Sequence, residues 1–93
     1  MIRVTMLYES EPDPDRYRRH LEEFVLPVEC DAFRHGRVFG APFGEPKYRY
    51  QAEFEWADRE SFKAAASTEA FAASGKDAME MGIPFIVLFS SIE

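Results

Sequence analysis

At 93 residues the chain is short enough for one domain, and its 46% hydrophobic and 15% aromatic content is sufficient for a compact core. The net charge of −6 argues against nucleic acid and anionic membrane surfaces, because no surplus of Lys and Arg is available to neutralise phosphates. The one cysteine, Cys30, excludes an intramolecular disulfide, and no apolar run approaches the roughly 20 residues of a membrane span. We therefore expect a single domain over residues 1–93, located in the cytoplasm.

The chain opens with a strand followed by a helix. Residues 2–8 are rich in β-forming side chains whose apolar members alternate with others, which predicts a strand. Asp13 is a suitable N-cap and Pro14 suits the first helical position. Apolar side chains then recur at helical spacing, and Pro27 ends the predicted helix at about Leu26.

Two strands separated by a loop are expected next. Residues 30–39 form the second strand, although two arginines, a histidine and a glycine interrupt its pattern. Residues 40–46 contain two glycines and two prolines and are predicted to be a loop. Residues 47–56 alternate aromatic or small side chains with charged or polar ones, which predicts the third strand.

Helical segments and a final strand complete the chain. Asp58 is the expected cap of the second helix. A short alanine-rich helix restarts after Ser67 and Thr68 and runs to about Ala73, with a further helical segment over residues 77–81. Gly82 ends the helical region, and residues 83–90 form the last strand.

The order strand, helix, strand, strand, helix, strand predicts an α+β, ferredoxin-like βαββαβ fold with a four-stranded antiparallel sheet. Its helices can cover only one face of the sheet. The last strand is apolar on both faces, and charged residues follow one face of the third strand. We therefore expect a homodimer in which a second copy covers the free face with a partly polar interface. The alternative is a monomer whose second face contacts water.

Several stretches together resemble the EthD family, named for ethyl tert-butyl ether degradation, within the dimeric α/β-barrel superfamily. They span nearly the whole chain and comprise Ile2–Tyr8, Tyr17–Val28, Tyr48–Phe54 continuing through Asp58 and Phe62, and Ser67–Glu69. The resemblance implies a dimeric α/β barrel. It also implies kinship with small monooxygenases, cyclases and lactone isomerases that bind substrate between sheet and helices. Many members carry a histidine two residues before the helix-ending proline, where this chain has Val25.

Two histidines are the candidate catalytic residues. His20 lies beside the apolar stripe of the first helix and could act as a general acid or base in a pocket beneath it. A half-exposed position on the helix surface is the favoured interpretation. His35 could move a proton beside a carboxylate or phenolate held by Arg34 and Arg37, but in a regular strand Arg34 points away from the other two. An edge strand carrying charged residues is the favoured interpretation there.

Aromatic side chains provide the candidate ligand-binding surface, together with Arg34. A wall formed by Tyr8, Tyr48, Tyr50 and Trp56 suits a flat aromatic ligand, and it equally suits an ordinary core. Two histidines without a cysteine pair or a metal-ligand spacing predict no metal site, and no glycine-rich loop indicates a nucleotide cofactor. We expect no cofactor.

Two functions from different classes remain open. One is a small cofactor-independent enzyme of the isomerase, cyclase or monooxygenase type, acting on a hydrophobic aromatic or lactone-like metabolite. The other is a non-catalytic ligand-binding or accessory protein of a catabolic pathway. An apolar pocket with His20, His35 or an arginine converging on it would favour the enzyme. A filled core with an exposed patch would favour the accessory protein, and a dimer without any ligand is a third possibility.

Overall fold

The computed structural model describes all 93 residues and contains one four-stranded antiparallel sheet. The strands lie in the order β2-β3-β1-β4, with helices packed on one face. This arrangement confirms the ferredoxin-like fold. None of the helices combines the length and apolar character needed to cross a membrane. In chain order the elements are β1 (Ile2–Tyr8), α1 (Pro14–His20), a π-helical turn (Leu21–Val25), β2 (Ala32–Arg37), β3 (Tyr50–Trp56), α2 (Arg59–Ala66), α3 (Glu69–Glu80) and β4 (Phe85–Ser91).

Side-chain caps fix the start of each helix. Asp13 accepts a hydrogen bond from the Arg16 N–H at 3.0 Å, and Asp58 accepts one from the Ser61 N–H at 2.8 Å. Thr68 caps α3 in the same way. These oxygens satisfy N–H groups that have no partner within the helix. The predicted helix starts are therefore confirmed.

The second and third strands, β2 and β3, are both shorter than predicted. β2 begins at Ala32 instead of residue 30, because its partner β3 ends at Trp56 and leaves Cys30 without a neighbouring strand. β3 begins at Tyr50 instead of residue 47, because β1 ends at Tyr8 and β2 ends at Arg37. A strand continues only where an adjacent strand offers hydrogen-bonding partners.

The helices also differ from the prediction in two places. The first helix continues past His20 as a π-helical turn, marked by a Leu26 N–H to Leu21 carbonyl bond of 2.9 Å that spans five residues. The expected break after Ala73 is absent, because α3 runs unbroken through Gly75. Glycine in a helix interior costs about 1 kcal/mol relative to alanine, and the packed face of α3 offsets that cost.

The core lies between the helices and one face of the sheet. Alternate residues of β1 and β3 point towards the helices and meet side chains from the first helix, its following loop and α2. The buried members of this core are Ile2, Val4, Val25, Val28, Phe54, Trp56 and Ala65. Val25, at the position where the resembling family often has histidine, is therefore a core residue.

The opposite face of the sheet carries an ion-pair network next to an apolar strip. Arg3 and Arg34 both approach Glu55, at 2.7 and 3.0 Å, and Arg34 also lies 3.3 Å from Glu53. Leu7 on β1 and Ile86 and Leu88 on β4 lie on this same face. The charged row predicted for β3 thus lies away from the core, paired with arginines on its two neighbours.

The edge strand β4 is exposed on both of its faces. Ile86 and Leu88 on the open face are 38% and 47% exposed. Val87 and Phe89 on the helix side are 46% and 64% exposed. The helices thus leave part of β4 uncovered. They cover less of their face of the sheet than the sequence predicted.

Candidate functional site

An apolar cavity of about 150 Å³ lies between α3 and the sheet, with the exposed side of β4 forming one of its walls. Its lining comes from three strands, the first helix and α3, and most of the lining side chains are hydrophobic. Its lining includes Met6, Tyr8, His20, Phe71, Phe85 and Val87. Pockets that are mostly apolar with a few fixed polar groups are typical of small-molecule sites.

His20 supplies an imidazole to this cavity. The residue is only 4% exposed, so its expected position on the helix surface is wrong. Its Nδ1 lies 2.8 Å from the Asp77 Oδ2. Because a carboxylate only accepts hydrogen bonds, Nδ1 carries the proton and donates it to Asp77. The other ring nitrogen, Nε2, then has a free lone pair, and no side chain or backbone group bonds to it.

Asp77 is a partner of His20 that the sequence did not reveal. It is 3% exposed on α3 and accepts two hydrogen bonds from the Arg16 guanidinium, at 3.0 and 2.7 Å. A carboxylate on the buried face of a helix, sharing that face with Ser74 and Ala78, was the available signal. The expected helix break after residue 73 obscured it, because Asp77 then fell in a separate segment.

Burial of His20, more than the charges beside it, favours a neutral imidazole. Burial lowers the pKa of His20, and the Arg16 guanidinium acts in the same direction, against the opposing effect of Asp77. Burial would raise the pKa of Asp77, but hydrogen bonds from Arg16 and His20 outweigh it and the pKa is lowered. A neutral, oriented imidazole next to an ionised carboxylate is the arrangement of a general base.

Tyr17 joins this site to a second histidine. Its ring centroid lies 5.5 Å from that of His20 and 5.3 Å from those of both His35 and Tyr50. Tyr8 meets the same ring edge-on at 6.4 Å. The structure therefore brings together four of the residues singled out in the sequence, around Tyr17 on the first helix.

His35 lines an outer cleft of about 280 Å³, together with Tyr17 and Tyr50. Its Nδ1 accepts a hydrogen bond of 2.6 Å from the Tyr50 hydroxyl or donates one to it. Glu11 lies at the same cleft and pairs with Arg37 at 3.0 Å. His35 thus lies near the cavity but outside its lining.

Burial and the neighbouring Tyr50 and Asp77 raise the pKa of Tyr8 to about 12. Burial also raises the pKa of Tyr17, and both phenols remain protonated at neutral pH. Hydroxyl groups in this cluster are therefore available as hydrogen-bond donors.

Three predicted site residues lie elsewhere. Arg34 is on the opposite face of the sheet, in the ion-pair network with Glu53 and Glu55. Tyr48 precedes β3 and contacts the Lys47 ammonium, 5.6 Å from its ring centroid. Trp56 lies in the core at the far end of β3. Its indole N–H donates to the Glu29 carbonyl at 2.8 Å. The predicted aromatic wall is therefore divided, with only Tyr8 and Tyr50 near the cavity.

No group of three or more His, Cys, Asp or Glu side chains could hold a metal ion. Burial, followed by the Asp31 carboxylate, raises the pKa of the Cys30 thiol. A thiol of this kind is a poor nucleophile at neutral pH.

No protein-family model matches the chain, and no curated protein does either. Among solved structures, an ethyl tert-butyl ether degradation (EthD) family protein from Bacillus halodurans is 25% identical, covering 100% of this chain and 99% of that chain with a TM-score of 0.78. An EthD-like protein from Ralstonia eutropha is 17% identical, covering 97% and 89% of the two chains, with a TM-score of 0.67. A dimeric ferredoxin-like protein of unknown function from Jannaschia is 16% identical, covering 98% of each chain, with a TM-score of 0.69.

Proposed function

This chain resembles the EthD family over its whole length, and from that premise we propose that it is a small enzyme using His20 as a general base. The substrate class is a hydrophobic aromatic or lactone-like metabolite bound between α3 and the sheet. The observation that carries the proposal is the bond of 2.8 Å from His20 Nδ1 to the buried Asp77, which leaves Nε2 without a partner at an apolar cavity. No cofactor is required for proton transfer by an imidazole.

The chemistry supported by this arrangement is proton abstraction next to a carbonyl group. The substrate C–H bond breaks, its proton moves to His20 Nε2, and its electron pair delocalises onto the carbonyl oxygen as an enolate. Asp77 stabilises the resulting imidazolium, and Arg16 holds Asp77 in place through two hydrogen bonds. Return of the proton to another carbon gives an isomerase, and attack of the enolate carbon on a second carbonyl of the substrate gives a cyclase. Addition of the enolate carbon to O₂, followed by protonation, gives a hydroperoxide at that carbon. Loss of water from the hydroperoxide and the remaining C–H bond leaves a second carbonyl group, which would be a monooxygenase reaction with the substrate as the reductant.

Deuterium exchange tests the proposal directly. The protein is incubated in D₂O with 2-indanone, an enolisable aromatic ketone, and deuterium uptake into the ketone is followed by NMR. We expect exchange above the buffer rate for the wild type and at the buffer rate for His20→Asn. The matched control is His35→Asn, which also removes an imidazole. Equal exchange by wild type and His20→Asn would exclude His20 as the base.

A non-catalytic ligand-binding or accessory role is the second candidate, and two observations favour it. Val25 stands in the core where the resembling family often has histidine, and β4 presents an exposed apolar strip. In that case a thermal-shift screen of aromatic acids, lactones and quinones would find a stabilising compound, but no exchange would occur.

The dimer belongs to the same proposal. We propose that two copies pair through the open sheet face, where Leu7, Ile86 and Leu88 lie beside the network of Arg3, Arg34, Glu53 and Glu55. The Jannaschia protein with the same fold is described as dimeric, which supports this assembly. A two-fold axis would place the same patch of both copies in contact.

A further inference from the structure

The cavity between α3 and the sheet is open to solvent on one side. Among the residues that line it, only Gly75 on α3 and Val87 and Phe89 on β4 are exposed. His20, in the same lining, is buried. α3 packs against α1, the π-helical turn and α2 but not closely against β4. The mouth of the cavity is therefore the gap between Gly75 and the helix side of β4.

Gly75 keeps the α3 side of this mouth free of side chains. A Cβ atom at this position would meet no atom within 4 Å, so the space in front of it is empty. Glycine is unfavourable in a helix interior, and the regular backbone of α3 does not require it here. A large side chain at residue 75 would stand at the edge of the opening.

Apolar side chains are exposed on both elements that form the mouth. Met79, one helical turn after Gly75 on the same side of α3, is 69% exposed. Val87 and Phe89 are 46% and 64% exposed on β4. The Phe89 ring packs edge-on against Phe62 of α2, with 5.4 Å between centroids. Exposed apolar side chains grouped in this way are typical of ligand-binding and interaction grooves.

The enclosed volume is too small for a whole metabolite of ordinary size. Small-molecule sites measure roughly 300–1,000 Å³, whereas this cavity measures about 150 Å³. That space accommodates little more than one aromatic ring beside His20. The remainder of a larger ligand must leave through the mouth, because the other lining residues are buried or half-buried.

We propose that the site takes an aromatic ketone with an apolar chain, and that this chain leaves the cavity between Gly75 and β4. The ring and the carbonyl group occupy the enclosed part of the cavity with His20, and the chain lies against Met79, Val87 and Phe89 outside it. Gly75 is then a specificity-determining residue, because its missing side chain leaves room for the chain to pass. This inference rests on the proposed function and specifies its substrate class.

Two ketones that differ only in such a chain test the inference. The affinities of acetophenone and 4′-butylacetophenone are measured by NMR titration. We expect the wild type to bind 4′-butylacetophenone about tenfold more tightly, which corresponds to burial of about two of its four added carbon atoms. Gly75→Leu should lose this preference. The matched control Lys76→Leu places the same side chain on an exposed position outside the cavity lining and should retain it.

Methyl signals locate the chain without any substitution. 4′-Butylacetophenone should shift the methyl signals of Met79 and Val87, whereas acetophenone should leave that of Met79 unchanged. Val28 is a core residue outside the cavity lining, and its signals should not move with either ketone. An unmoved Met79 signal would overturn the inference, and so would equal wild-type affinity for both ketones; both results leave the cavity and His20 intact. Failure of both ketones to bind would overturn the proposed function as well.

The stability and mass of Gly75→Leu complete the test. Leucine favours a helix more than glycine does, so this variant should unfold at the same temperature as the wild type or at a higher one. A lower unfolding temperature would show that the position is not open, and a retained preference for the butyl compound would place the chain elsewhere. A change of mass in light scattering would make the mouth a contact between copies. Each of these three results would overturn the inference.

Discussion

At the scale of single residues, His20 and Asp77 determine what the site can do. A histidine at the surface would titrate freely, whereas here burial and the Arg16 guanidinium lower the pKa of His20 below its ordinary value of 6.5. The folded protein therefore binds fewer protons at this residue than the unfolded chain does. Such a difference makes stability depend on pH.

We expect the free energy of unfolding to fall as the pH is lowered from 7 through the folded-state pKa of His20. The contribution of His20 is fully present above about 6.5, the pKa in the unfolded chain, since both states are neutral there. Below that pH the unfolded chain takes up a proton first, which favours unfolding. Urea unfolding at several pH values measures the effect.

His20→Gln should flatten this pH dependence between pH 7 and 5, whereas His35→Gln should leave it intact, because the His20–Asp77 pair is then unchanged. Stability that instead increases on acidification through this range would show that Asp77 outweighs burial, and that His20 is protonated in the folded protein.

The hydroxyl of Tyr50 should contribute to stability, because it is hydrogen-bonded to His35. Its 2.6 Å bond with His35 Nδ1 is lost in Tyr50→Phe, and we expect a loss of about 0.5–1.5 kcal/mol in urea unfolding. Tyr48→Phe is the matched control, because it removes a phenol hydroxyl that lies outside the bond to His35, and its stability should equal that of the wild type. Equal stability of all three proteins would argue that the His35 bond is too solvated to matter.

At the scale of elements, one ion pair fastens the first helix to α3. Arg16 from α1 and Asp77 from α3 are joined by two hydrogen bonds, and Asp77 also holds His20. Both helices must therefore dock correctly before the imidazole is oriented. The orientation of His20 is therefore a consequence of helix packing.

Removing Arg16 should destabilise the protein, because the buried Asp77 carboxylate then keeps only its hydrogen bond to the His20 imidazole. We expect Arg16→Ala to lose about 2–3 kcal/mol, somewhat less than a fully buried pair, because the Arg16 side chain is 24% exposed. Chemical denaturation measures the change. Glu23→Gln, which breaks the exposed Arg19–Glu23 pair of 3.9 Å, is the control and should change stability by less than about 0.5 kcal/mol. Equal effects of the two substitutions would refute the structural role of the Arg16 pair.

Because α3 is an unbroken helix, replacing its internal Gly75 with alanine should stabilise the protein. A methyl group at Gly75 would meet no atom within 4 Å, and the residue is an ordinary helical position. Gly75→Ala should therefore raise stability by about 0.5–1 kcal/mol, measured by thermal or urea unfolding. Gly82→Ala provides the contrast, because the φ of 77° at Gly82 is unfavourable for alanine and stability should fall. A loss of stability in Gly75→Ala would indicate that the helix is broken there, as the sequence suggested.

At the scale of the whole molecule, one face of the sheet is packed against helices and the other is open. On that open face the ion-pair network and the apolar strip of β4 lie side by side. A second copy related by a two-fold axis would cover both. The proposed dimer thus follows from the distribution of charge and apolar surface over the sheet.

Leu88→Asp should convert a dimer into a monomer in light scattering, because it places a charge in the apolar part of the proposed interface. Leu26→Asp is the matched control: Leu26 is 80% exposed after the first helix, away from the open sheet face, and this substitution should leave the mass unchanged. A monomeric wild type would remove the basis for the proposed dimer, and dimeric Leu88→Asp would move its interface elsewhere.

The elements and their order could be predicted from the sequence because their causes are local. The caps Asp13 and Asp58, the helix that restarts after Thr68, the alternation along β1 and the glycine at residue 82 act over a few residues, and each is confirmed. The strand ends were predicted less well, since a strand ends where its neighbour does. The π-helical turn after His20 has no clear local signal either.

The candidate site could be predicted only in part. Its histidines and tyrosines were recognisable as residue types, but Asp77 lies 57 residues from His20 and 61 from Arg16 along the chain. Whether His20 is exposed to water or bonded to a buried carboxylate depends on how two helices pack across the sheet, and no local pattern specifies that packing. The sequence by itself determined the ferredoxin-like fold through capping and periodicity. Tertiary structure alone decided the chemistry of the site, because burial and long-range charge pairs set the pKa and the orientation of His20.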